Sequence, residues 1–201
     1  MDKDIKDNTE ELFEACLDGN IGVVEEILRN KKVDINGSYR RGDTPLMCAV
    51  KNGHLNVVRR LLEVPGIKID KSDDDGDTAL FYACLFNRVS VLKLLCQDSR
   101  CSPSLLNKMN SRGNTALMTA IFMEHLDIVK ELCQDSRYGP ILVNKKDSRG
   151  FTALLMAVLM GHLDIVKELD KEGTDFSTRY YGATLIEVAT EKKAMLLCWS
   201  T

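Results

Sequence analysis

Apolar residues along this chain fall into short stretches at helical spacing that come in pairs and repeat. Leu55-Asn56-Val57-Val58-Arg59-Arg60-Leu61-Leu62, Leu126-Asp127-Ile128-Val129-Lys130-Glu131-Leu132 and Leu163-Asp164-Ile165-Val166-Lys167-Glu168-Leu169 each give a helix with one apolar and one charged face. Ahead of each lies a second stretch that opens with Gly-x-Thr-x-Leu and places an alanine three residues after the leucine. It appears as Gly42-Asp43-Thr44-Pro45-Leu46 with Ala49, Gly76-Asp77-Thr78-Ala79-Leu80 with Ala83, and Gly113-Asn114-Thr115-Ala116-Leu117 with Ala120. Gly150-Phe151-Thr152-Ala153-Leu154 with Ala157 and Gly182-Ala183-Thr184-Leu185-Ile186 with Ala189 complete the series, at glycine intervals of 34, 37, 37 and 32 residues. A period of this size predicts stacked helix-turn-helix units.

Each part of the block has a physical reason. The threonine hydroxyl can cap free amides at the helix start, and Pro45 in the first turn loses no intrahelical bond. The preceding glycine suits a turn at positive φ. A mid-helix alanine lets the neighbouring helix approach closely, and the leucines and valines face the next unit, so a unit too small to hold a core must stack. The first unit, Leu12-Phe13-Glu14-Ala15-Cys16 with Val23-Val24-Glu25-Glu26-Ile27-Leu28, lacks the turn signature and reads as an amino-terminal cap. The sixth stops soon after Ala194-Met195-Leu196-Leu197-Cys198-Trp199, as a minimal cap or the edge of a longer protein. Two inserts, around Ser102-Pro103-Ser104 and Tyr138-Gly139-Pro140, read as loops.

The blocks resemble the ankyrin repeat, with its T-P-L-H-x-A signature and a following Gly-His pair. Gly53-His54, Gly161-His162 and the partial match Glu124-His125 fall where that pair belongs. The resemblance implies an all-α solenoid with short turn or hairpin tips. It divides the chain into a polar tail at 1–8 and one domain at 9–201, with repeats at 9–38, 39–72, 73–109, 110–146, 147–178 and a truncated 179–201. It also implies that His54, His125 and His162 bond to backbone groups of a neighbouring turn.

Composition narrows the function. A formal charge of -3 and a pI near 5.7, from interspersed acidic and basic residues, give no footprint for nucleic acid. No apolar run of about 18 residues and no secretion signal appear, so neither a membrane partner nor export is expected, and a cytoplasmic or nuclear monomer is. The 7 cysteines are odd in number and irregularly spaced and read as reduced core thiols, with Cys48, Cys101 and Cys198 the less constrained ones. Asp73-Asp74-Asp75-Gly76-Asp77 lacks the acidic residue that a calcium loop needs at its twelfth position, where Cys84 stands, and reads as a solvated turn. Phosphate-loop and nucleophile-elbow motifs are absent, so no enzyme, metal or cofactor is expected.

In ankyrin-like folds the inner helices and turn tips form a concave binding surface, exposed most at the two residues before the Gly-His register. Those pairs are Leu17-Asp18, Lys51-Asn52, Leu85-Phe86, Phe122-Met123, Leu159-Met160 and Glu191-Lys192: polar at the ends and apolar in the middle. Tyr82, Thr119 and Met156 should widen this stripe, Phe151, Tyr180 and Tyr181 should wall it, and Arg40, Arg41, Arg112 and Arg149 supply positive tips. An exposed apolar patch of this size marks a partner site, here for a protein or peptide with apolar anchors, unless the side chains belong to the core. The expected function is a protein-protein interaction scaffold. The alternatives are a recognition module of a larger protein, such as a ubiquitin ligase adaptor, and a hydroxylation substrate at Asn36, whose register Asn107 and Asn144 share.

Overall fold

The structure, a computed structural model, describes residues 3–134 and 138–171 together with strand segments 179–180 and 183–184. Its inner helices are α1 (Lys3–Asp18), α3 (Pro45–Asn52), α5 (Ala79–Leu85), α8 (Ala116–Phe122) and α11 (Ala153–Met160). Outer helices α2 (Ile21–Asn30), α4 (Leu55–Leu62), α6 (Val89–Gln97), α9 (Leu126–Gln134) and α12 (Leu163–Asp170) follow them one for one. Each inner helix packs on the inner helices before and after it, and the outer helices stack in the same order, so the chain is an α-helical solenoid. Beyond α12 the strands Arg179–Tyr180 (β1) and Ala183–Thr184 (β2) pair antiparallel as a hairpin tip.

The helices begin where the block predicts. Thr44, Thr78, Thr115 and Thr152 accept hydrogen bonds from the amides of Met47, Phe81, Met118 and Leu155 at 3.2, 3.3, 3.3 and 3.3 Å. Pro45 takes the first turn of α3. Ala49, Ala83, Ala120 and Ala157 are fully buried, each on an inner helix that packs on the one before it. Gly76 sits at φ +80° with a Cβ position that would lie 2.9 Å from the amide nitrogen of Ser111, so only glycine fits where successive tips touch.

Two expectations are corrected. Residues 3–8 are not a tail but the first turns of α1: Asp4 favours the positive helix start, and the Asn8 amide donates to the Lys32 carbonyl at 3.0 Å. The inserts are not plain loops either, because each contains one helical turn, α7 (Pro103–Leu106) and α10 (Gly139–Val143). Ser102 caps the amide of Leu105 at 3.2 Å, and proline at a first turn forfeits no bond, so the residues that read as loop formers are here helix starters. Both turns bury leucine, at Leu105, Leu106 and Leu142, and they pack on each other along the outer rim.

Ahead of α7, Arg100 donates to the carbonyls of Leu62 and Ile67 at 2.8 and 3.2 Å while Asp98 holds its guanidinium. That pairing keeps the Asp98 carboxyl below its usual range. The insert therefore closes the open carbonyl end of α4 in the preceding repeat.

Removing one cap should weaken the whole stack. Thr115→Ala leaves the amide of Met118 without its partner inside the core and is expected to cost about 1 kcal/mol. Urea unfolding followed by circular dichroism should show a lower midpoint at an unchanged slope.

Candidate functional site

The tips that face the concave side are built around one side chain each. Asp73 Oδ1 accepts the amides of Asp75 and Asp77 at 3.0 and 2.9 Å; Asn110 Oδ1 accepts those of Arg112 and Asn114, both at 3.1 Å; Asp147 Oδ1 accepts those of Arg149 and Phe151, both at 2.8 Å. The acidic run is thus a turn, solvated at Asp74 but not at Asp73 and Asp77, which are buried and whose oxygens are used by the fold. Tyr39 holds the same register in the second repeat and packs on Phe13 with the rings tilted by 30° and their centroids 5.0 Å apart. The signal for these residues was in the sequence, three positions before each tip glycine.

On the other side of each inner helix, a long side chain reaches back to the repeat before. His54 Nε2 donates to the Leu17 carbonyl at 2.9 Å, Arg88 donates through Nε and Nη2 to the Lys51 carbonyl at 3.1 and 2.9 Å, and His125 Nδ1 donates to the Cys84 carbonyl at 2.9 Å. His162 departs from the expectation: its Nδ1 faces the Glu124 carboxylate at 3.4 Å, and its buried Nε2 has no hydrogen-bond partner among the described residues. The residues before these anchors are all left-handed, Gly53 and Gly161 at φ 77° and 80°, but also Asn87 and Glu124 at 54° and 59°.

Between tips and anchors lies the concave face. Phe86, Phe122, Met123 and Met160 are 44%, 63%, 43% and 37% exposed, each at the carboxyl end of its inner helix. Leu85, Leu159 and Phe151 are half-buried beside them. Tyr82 and Met156, expected on the exposed stripe, are instead only 8% and 7% exposed, and Thr119 is buried with them. They lie one helical turn earlier, where the adjoining helices and tips cover them. Tyr82 is held there by its hydroxyl, which donates to Asp73, and by Lys51, whose Nζ stands 3.8 Å above the ring while bonding both oxygens of Asp43. Burial, then the bond to Asp73, raises the phenol well above its ordinary pKa, so the hydroxyl stays a donor. Its ring stacks under Phe86 at 6.1 Å, which props that side chain outward.

The stripe deepens into a depression of about 570 Å³ between the third, fourth and fifth repeats. Leu85, Met118, Phe122, Met123 and Met156 line it, with Asp77, Arg112 and Arg149 at its tip-side edge. Tyr180 and Tyr181 were expected to continue the wall, but their side chains lie outside the described residues.

A family model described as ankyrin repeats in three copies matches residues 12–105 and again 99–180. The chain belongs to the ankyrin repeat family. The solved structure of the ankyrin repeat protein EF0377 superposes with a TM-score of 0.80 at 28% identity, over 93% of this chain and 94% of that one. No curated protein matches its sequence significantly. Ankyrin repeats generally mediate protein-protein interaction and are typically non-enzymatic. No helix among the described residues of this ankyrin protein is long and apolar enough to cross a membrane.

Departures from the ankyrin pattern mark what the sequence hid. Arg88 does the work of the histidine in the third repeat, with Asn87 where glycine is usual, so the letters at a register already located did not reveal the anchor. Asn36 bonds across the repeat boundary, donating to the Gly66 carbonyl at 2.9 Å and accepting the Lys68 amide at 2.8 Å. Asn107 and Asn144, in the same register, donate to the Pro103 and Pro140 carbonyls of their own short turns. Cys48 and Cys101, expected to be less constrained, are buried, and burial followed by the charge of Asp43 pushes the Cys48 thiol up to about 11. A thiol so little ionised is a poor nucleophile.

Asp77 gives the face a pH dependence. Burial raises its carboxyl above the ordinary value although Asn110 donates to it at 2.9 Å. A carboxyl whose pKa is raised by folding favours the fold in acid, and that contribution is lost as pH rises through the raised value. Asp77→Asn keeps an acceptor for Asn110 without the charge. It should be more stable than the parent near pH 7, with the difference fading toward about pH 3, as measured by urea unfolding at both.

Proposed function

We propose that this ankyrin domain is an interaction scaffold that takes an apolar helix or an extended peptide on the concave face of its third to fifth repeats. The observation that carries the reading is the run of Phe86, Phe122, Met123 and Met160 exposed at equivalent positions of consecutive inner helices. A solvated helix end would hold lysine, glutamate or glutamine there, as the second repeat does with Lys51-Asn52. Contiguous exposed apolar surface rimmed by polar groups is the physical mark of a partner site.

The buried neighbours strengthen this reading. Tyr82, Met118 and Met156 are fixed in the core, so the exposed side chains project from a rigid floor and little ordering entropy opposes binding. Methionines at Met123 and Met160 can adapt to the shape of an apolar side chain. Full burial of each such residue contributes about 1.5–3 kcal/mol in gross terms, and several together exceed the lower estimates of the association cost, about 4 kcal/mol.

A variant carrying Phe86→Asp, Phe122→Asp and Met160→Asp should keep its helical circular dichroism, because these residues are exposed, and should lose the proteins that the parent retains from cell lysate. Binding to a retained partner should weaken by at least about 100-fold. Equal retention by parent and folded variant would place the site elsewhere.

A further inference from the structure

The charges along the concave edge are not equivalent. Each tip carries a residue immediately before its glycine: Arg41, Asp75, Arg112 and Arg149. Arg41 is paired with Asp75 at 2.6 Å, and Arg149 with the carboxylate of its own turn, Asp147, at 2.9 Å, while it also stacks on the Phe151 ring at 4.6 Å. Lys51 is committed to Asp43. Of the three arginines immediately before a tip glycine, Arg112 has no ion pair among the described residues, because its turn is built on the neutral amide of Asn110 where the fifth repeat has Asp147; Arg40, one position further from its glycine, also lacks one but lies over the Tyr39 ring at the other end of the stripe. Arg112 is exposed, and it stands at the edge of the depression lined by Leu85, Met118, Phe122, Met123 and Met156. The one carboxylate in that lining, Asp77, is recessed and bonded to Asn110; it feels the charge of Arg112 but forms no ion pair with it among the described residues.

Resting on the groove reading above, we propose that the occupant is an acidic amphipathic segment: its apolar side chain fills this depression, and an aspartate or glutamate beside that anchor pairs with Arg112. An exposed cation without a salt bridge among the described residues, at the rim of an apolar hollow, is what selects a carboxylate. The apolar stripe continues past the depression on both sides, at Phe86 and at Met160, so the partner runs through the groove and the carboxylate is a side chain within it, not a chain end.

The test uses a phage-displayed library of random peptides about 15 residues long, panned against the full chain, with enriched sequences synthesised and titrated by fluorescence polarisation. Enriched peptides are expected to combine an aromatic or aliphatic anchor with aspartate or glutamate at a fixed spacing. Arg112→Glu should weaken them roughly tenfold or more, Arg112→Gln less, and a peptide with lysine in place of that acid should bind Arg112→Glu better than the parent. Circular dichroism of both variants verifies that the exposed substitution leaves the helices intact.

Peptides that are lost with Phe122→Asp but indifferent to Arg112→Glu would leave the groove standing and overturn the acidic partner. Peptides indifferent to Phe122→Asp would overturn the groove itself. Enriched peptides that end in a free carboxylate, and fail when that end is amidated, would replace the through-running segment with a chain terminus.

Discussion

No inner helix here can bury its apolar face within its own repeat. At seven or eight residues, α3, α5, α8 and α11 are far below the length at which a helix holds itself in water. Their alanines are fully buried, those of α3, α5 and α8 with an inner helix on either side, so each helix exists because its neighbours do. Everything else follows from that close approach. The caps fix where each helix starts, the tip glycines allow successive turns to touch, and the side chains at the carboxyl ends are the ones left without a neighbour to cover them.

That geometry decided how far the sequence could be read. The repeat, the capping threonines, the alanines and the exposed ends of the inner helices are periodic, and periodicity survives without coordinates. What failed was whatever depended on one residue's local context. Ser102-Pro103 and Gly139-Pro140 read as loop formers because the same residues serve helix starts, and only the leucines buried behind them decide between the two. Tyr82 and Met156 share a register with the stripe but lie one turn deeper, where the tips close over them; a pattern of letters does not say how wide the uncovered strip is. Arg88 went unseen because it does with a guanidinium what the neighbouring repeats do with an imidazole. The Asp73, Asn110 and Asp147 turns were missed because acidic and amide letters in a tip read as solvated.

The concave face therefore has two layers with different duties. The lower one, Tyr82, Met118 and Met156 with the Asp73 and Lys51 bonds around them, is committed to the stack and cannot move without opening it. The upper one, Phe86, Phe122, Met123 and Met160, is attached to that floor but owes the fold little. Such a division lets the upper layer change its chemistry while the solenoid stays as it is, which is how one architecture serves many ligands.

The anchors between repeats also give the stack a direction. His54, Arg88 and His125 are donors in the later repeat, and their acceptors, the carbonyls of Leu17, Lys51 and Cys84, belong to the earlier one. A ribosome releases the acceptors first. Each newly made repeat thus leaves its carbonyl unanswered until the following one emerges to close it, and the closing group is a side chain that can turn toward its target. At these anchors the two faces exposed by cutting the solenoid are unlike for the same reason: one shows backbone oxygens, and the other shows side-chain donors free to turn toward water.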